Sequence, residues 1–188
     1  MKRMPSGLVL LAAAALSSCS GASPADNGSS CQVTSDAGQG SGTVSGAVNG
    51  MPFGSAANSL WIGKPDSAET TVVYLFSQPI SCSALCSPGW DARIGDGITV
   101  LELKALGVAP ATFPVVKTPT PALGEAVVNV TISSASATPS ETSGSGGTLS
   151  LTRLQAKQTA TGTFDLLFAS ENLSGSFNAA YCPEGHEP

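Results

Sequence analysis

The chain is 188 residues long, with eight basic and thirteen acidic side chains, a single histidine and a mean hydropathy of +0.19. That length suits one domain with a hydrophobic core of its own. The acidic balance leaves no basic patch to neutralise a phosphate backbone, which argues against nucleic-acid binding.

The first element is an export signal. Lys2 and Arg3 precede the apolar run Leu8–Leu16 (LVLLAAAAL), and the small pair Ser17-Ser18 leads into Cys19. A run of this length is too short to cross a bilayer as a permanent helix, and its flanks are those of a cleaved signal. Leu16-Ser17-Ser18-Cys19 resembles the lipobox of bacterial lipoprotein signals. That resemblance implies removal of residues 1–18 and acylation of Cys19, with fatty chains such as palmitate. Several acyl chains on one residue suffice for stable anchoring in membrane lipid. Ser20 stands where an Asp is associated with inner-membrane retention, so the resemblance implies the outer membrane of a bacterial cell envelope. Without residues 1–18 the chain has 170 residues, and six basic side chains against thirteen acidic ones give a charge of −7.

With Cys19 assigned to lipid, Cys31, Cys82, Cys86 and Cys182 remain. Four cysteines in an oxidising compartment read as two disulfides, for which three connectivities exist. A zinc site from Cys82, Cys86, Cys182 and His186 is the rival reading. It is disfavoured because exported thiols oxidise and the set lacks a second close pair.

Residues 19–42 are rich in Ser, Gly, Ala, Asp and Asn, a composition that reads as a flexible tether. A random coil of that size spans on the order of 25 Å. A β domain is predicted over 43–182, with a polar tail at 183–188. Thr43–Val48 reads as its first strand, Asn49-Gly50 as a hairpin turn and Met51–Phe53 as the return. Leu60-Trp61-Ile62 continues as a strand, with Trp61 in the core. Thr70–Ser77 is apolar on both alternating faces, Val73 and Leu75 against Val72, Tyr74 and Phe76, which predicts a central strand covered on both sides.

Gln78–Gly97 reads as an irregular excursion. Thr99–Leu106 returns to period two, with Leu101, Leu103 and Ala105 against Glu102 and Lys104. Prolines around Thr112–Val116 place that strand at an edge. Ala126–Ser133 alternates again, Ser134–Gly147 reads as a low-complexity loop, and Thr148–Leu154 as a strand. The last pair sets Phe164, Leu166 and Phe168 against Leu173, Phe177, Ala179 and Tyr181 across a turn at Ser170-Glu171-Asn172. The expectation is an all-β fold of about 8–10 short strands, an antiparallel β-sandwich or else a small β-barrel.

Taken together, Gly42-Thr43-Val44-Ser45-Gly46, Asn49-Gly50, Val73-Tyr74-Leu75-Phe76, Pro88-Gly89-Trp90-Asp91, Gly162-Thr163-Phe164-Asp165 and Leu173-Ser174-Gly175-Ser176-Phe177…Tyr181-Cys182 resemble uncharacterised bacterial lipoproteins whose β-rich domain ends in a GxFD…LxGxFxAxYC hairpin. The resemblance implies a Cys82–Cys182 bridge, which leaves Cys31 with Cys86; a tight Cys82–Cys86 loop is the competitor. It assigns no catalytic residue and no cofactor.

The residues themselves offer little for catalysis. His186 stands in the polar tail, a poor place from which to orient a general base, and neither G-x-S-x-G nor Ser-x-x-Lys occurs after Cys19. Glu184, His186 and Glu187 make at most a loose set of metal ligands. Asp91 and Asp96 share a loop, but Asp96-Gly97 reads as a turn, and Arg93 and Gly95 break the calcium-loop pattern. The expectation is therefore a non-catalytic structural or interaction module of the cell envelope, with an envelope protein or glycan as partner. The alternative is a carbohydrate- or peptide-binding module in which Trp90 stacks on the ligand and Asp91 hydrogen-bonds it. Against that stands the simpler placement of Trp90 as a plug over the disulfide.

Overall fold

A computed structural model describes residues 40–56, 58–63, 70–86, 90, 95, 97–118, 120–133 and 140–183. The expected segments before Gly40 and after Pro183, including Cys19, Cys31 and His186, lie outside the described residues, as do Asp91 and Asp96.

The fold is all-β, as the alternation predicts. Eleven strands form one sheet: β1 (Ser41–Val48), β2 (Met51–Pro52), β3 (Asn58–Gly63), β4 (Thr70–Phe76), β5 (Thr99–Leu106), β6 (Ala111–Pro114), β7 (Ala126–Ile132), β8 (Ser140–Ser143), β9 (Gly146–Gln155), β10 (Thr159–Phe168) and β11 (Glu171–Tyr181). The order is β6-β9-β10-β11-β3-β4-β5-β7-β8, with β1 against β11 and β2. The sheet curls into a half-barrel, in keeping with the expected sandwich- or barrel-like all-β fold. Its edges approach each other where the chain leaves β6: Val115 N–H donates to Gly147 of β9 (3.0 Å), and Val116 N–H to Ala126 of β7 (2.9 Å).

The Asn49-Gly50 turn forms as expected. Asn49 and Gly50 take φ of 53° and 73°, the left-handed pair of a two-residue hairpin, and Val48 faces Met51. Because β1 runs antiparallel to β11, the chain emerging from this turn runs parallel to it. The sheet is therefore mixed: β3 meets β11 in parallel at Leu60–Ala180 and Trp61–Tyr181.

Strand β4 lies between β3 and β5, and its alternate side chains divide as the sequence predicts. Val73 and Leu75 face the interior of the curl, where they join Trp61, Leu101, Leu103, Val128, Phe164, Leu166, Leu173 and Phe177. Val72, Tyr74 and Phe76 face outward into a second core with Leu60, Ile62 and Val100. The prolines around β6 do mark an end of the strand order.

Two local expectations are corrected. The loop foreseen over Ser134–Gly147 contains β8, paired with β7 from Asn129–Ser143 to Ile132–Ser140, and β9 already begins at Gly146. Ser and Thr carry no apolar alternation, yet their backbone groups complete the ladder. The last hairpin turns at Ala169-Ser170, with Phe168 opposite Glu171, so Glu171 and Asn172 belong to β11.

That hairpin also explains its repeated Gly-x-Phe. Gly162 lies directly opposite Phe177, and Phe164 opposite Gly175. Each ring covers the glycine across from it: a Cβ at Gly175 would lie 2.6 Å from Phe164 Cζ, and one at Gly162 2.5 Å from Phe177 Cζ. Aromatic rings resting on facing glycines pin register in curved sheets.

Candidate functional site

The sequence directs attention first to Trp90 and the cysteines. After β4 the chain makes a 3-10 turn at Cys82–Leu85 and lies over the outer face of β3, β4 and β5. Cys82 and Cys182 form a disulfide with Cα atoms 5.5 Å apart, spanning 100 positions of sequence. Cys86 is disulfide-bonded as well; its expected partner, Cys31, lies outside the described residues. With these sulfurs oxidised, Cys82, Cys86 and Cys182 present no thiolates to zinc.

Trp90 is 1% exposed. Its ring stands edge-on to Tyr74 (centroids 5.1 Å, 84°) and to Phe76 (5.8 Å, 64°), a favourable arrangement for aromatic quadrupoles. An indole enclosed in this way has no face open to stack on a sugar or peptide, so Trp90 plugs the outer core. Trp61, likewise buried, lies on the inner side with its ring 4.7 Å from Tyr181.

A different surface has the shape of a site. On the outer side of β5 and β7, a groove of about 500 Å³ is walled by β8 and by the proline-containing segment that follows β6. Strand alternation places Glu102 and Lys104 of β5 and Val127 and Asn129 of β7 on its floor. The register sets Glu102 beside Asn129, and Asn129 beside Ser143 of β8. Glu141 and Ser143 form one rim; Val116, Lys117, Thr118 and Pro121 form the other.

The chemistry is amphoteric. Glu102 and Glu141 contribute carboxylates, Lys104 and Lys117 contribute ammonium groups, and Val116, Pro121 and Val127 provide apolar contact. Asn129 Nδ2 lies 3.4 Å from a Glu102 carboxylate oxygen, while Asn129 Oδ1 is buried without a hydrogen-bond partner. A buried amide oxygen left unsatisfied is costly to the fold. The volume falls in the range of small-ligand sites.

A smaller crevice of about 220 Å³ opens at one mouth of the curl between Val48, Met51, Pro52, Phe53, Val130 and Ile132, with Gly97 and Thr99 also lining it. Neither depression is legible in the sequence as a site. Glu102, Lys104 and Asn129 are visible as the outward half of two alternating strands, but their walls depend on β8 and on the return of the chain past β6.

No family model, curated protein or solved structure matches the chain.

Proposed function

We propose that this chain is a lipid-anchored lipoprotein of the bacterial cell envelope that works as a non-catalytic interaction module, with the amphoteric groove on β5, β7 and β8 as its contact surface. The observation that carries the reading is that groove: carboxylates and ammonium groups converge there beside the apolar Val116, Pro121 and Val127, in a volume suited to a small polar ligand. The lipobox at Cys19 supports the anchor, and the Cys82–Cys182 disulfide suits an oxidising compartment.

A groove with both charge signs favours a ligand with both, and a short peptide with free termini is the class that fits. Lys104 and Lys117 would receive its carboxylate, and Glu102 and Glu141 its ammonium. Amide chemical-shift mapping tests this, using a short dipeptide with free, N-blocked or C-blocked ends. Shifts at Glu102, Lys104, Asn129 and Glu141 that fade when either end is blocked are expected. A groove indifferent to every form would overturn the ligand class. The anchor is tested separately by fatty-acid labelling in cells, which Cys19→Ala should abolish.

A further inference from the structure

The Asn49-Gly50 turn is a chemically reactive dipeptide held in an unreactive pose, and we infer that Asn49 is a latched deamidation site whose release unlocks one mouth of the half-barrel. An asparagine followed by glycine is prone to lose its side-chain amide, because glycine presents no side chain to hinder attack by its own nitrogen. In that reaction Gly50 N bonds to Asn49 Cγ, the Cγ–Nδ2 bond breaks, and ammonia leaves with the proton from Gly50. Water then opens the ring to aspartate or isoaspartate.

Three features oppose it. Asn49 has a φ of 53°, in the left-handed region, and the ψ of about +47° that accompanies it turns the Gly50 nitrogen away from the side chain, whereas ring closure needs the two nearly eclipsed about the Cα–C bond. Gly50 N–H donates to Glu171 Oε1 at 2.8 Å, so the proton that must leave is held by a carboxylate. Asn49 Nδ2 donates to Thr142 Oγ1 at 2.8 Å, which holds the carboxamide to β8. Asn49 itself is exposed, so water reaches the turn once it opens. Glu171 and Thr142 therefore act as positioning residues that keep the turn closed.

Conversion would have a structural consequence. Isoaspartate inserts an extra backbone carbon into a two-residue turn, and aspartate adds a negative charge beside Glu171. Either change loosens the hairpin that seats Val48 and Phe53 at the mouth of the curl, next to the 220 Å³ crevice.

Peptide mass spectrometry of the purified full chain, incubated at mildly alkaline pH, tests the latch through the gain of one mass unit at position 49 and through isoaspartate-specific methylation. The native protein should convert far more slowly than the urea-unfolded chain. Losing a charge-assisted hydrogen bond should speed conversion in Glu171→Ala by about tenfold. Thr142→Val should speed it less, and circular dichroism should show both variants folded. Native conversion as fast as that of the unfolded chain, or folded variants no faster than native, would overturn the inference.

Discussion

The two faces of β4 are both buried, yet they are held by different means. The inner face is closed by other strands of the same sheet, so its neighbours arrive through a continuous ladder of backbone hydrogen bonds. The outer face is closed by the irregular excursion after β4, whose hold on the sheet includes the Cys82–Cys182 bridge and the ring of Trp90. A ladder is cooperative; a cover of irregular chain depends on its fasteners. One tryptophan lies in each layer, Trp61 inside and Trp90 outside, so the layers can be read separately.

Trp90→Ala should strike hardest, because it empties the centre of the outer core. A loss of about 4 kcal/mol in urea unfolding is expected, in line with large-to-small aromatic substitutions; a loss below a quarter of that would mean Trp90 is not the plug. Gly175→Ala attacks the inner ladder, where the new Cβ would overlap the backbone carbonyl of Thr43 and crowd Phe164. It should destabilise by about 3 kcal/mol. Pairing it with Phe164→Ala would relieve only the contact with the ring.

Removing the bridge by Cys82→Ala with Cys182→Ala should cost about 3 kcal/mol. The sharper readout is order of exposure. With Trp61→Phe in the background, emission from Trp90 should move to the red at lower urea than emission from Trp61 does in the matching Trp90→Phe protein. Coincident transitions would show that the cover and the ladder melt as one unit. The smallest effect expected is a gain: Ala169 holds φ of 55° in the last hairpin turn, where glycine carries no steric penalty. Ala169→Gly should stabilise by about 0.5 kcal/mol, less than the strain it relieves, because glycine also frees the unfolded chain.

What the sequence made legible follows the same division. Alternating apolar residues placed β4, β5, β7 and the last hairpin, and Asn49-Gly50 placed a turn, because in each case local side-chain chemistry specifies local geometry. Strand β8 stayed hidden since its order comes from backbone pairing to β7 and not from its own Ser and Thr side chains. The groove stayed hidden for a related reason: Glu102, Lys104 and Asn129 were recognisable as outward-facing, but their walls come from segments distant in sequence. Trp90 read more simply as a plug than as a ligand-stacking loop residue, and Tyr74 and Phe76 stand against it in the outer core.

The position of β11 bears on how the chain comes to be folded at all. One of its edges takes β10 along its length, and the other takes β1 from Leu173 to Asn178 and then β3 at Ala180 and Tyr181. The first strand of the domain thus finds its principal partner only in β11, and β3 finds there the second of its two neighbours. A chain that emerges N-terminus first must hold β1 without its long ladder, and β3 with β4 alone, until β11 has followed. Pairings this remote in sequence make for slow folding. Quality control during biogenesis therefore falls on the eleven residues of β11, and a premature stop within that strand should leave a polypeptide for proteolysis, with no shortened barrel surviving.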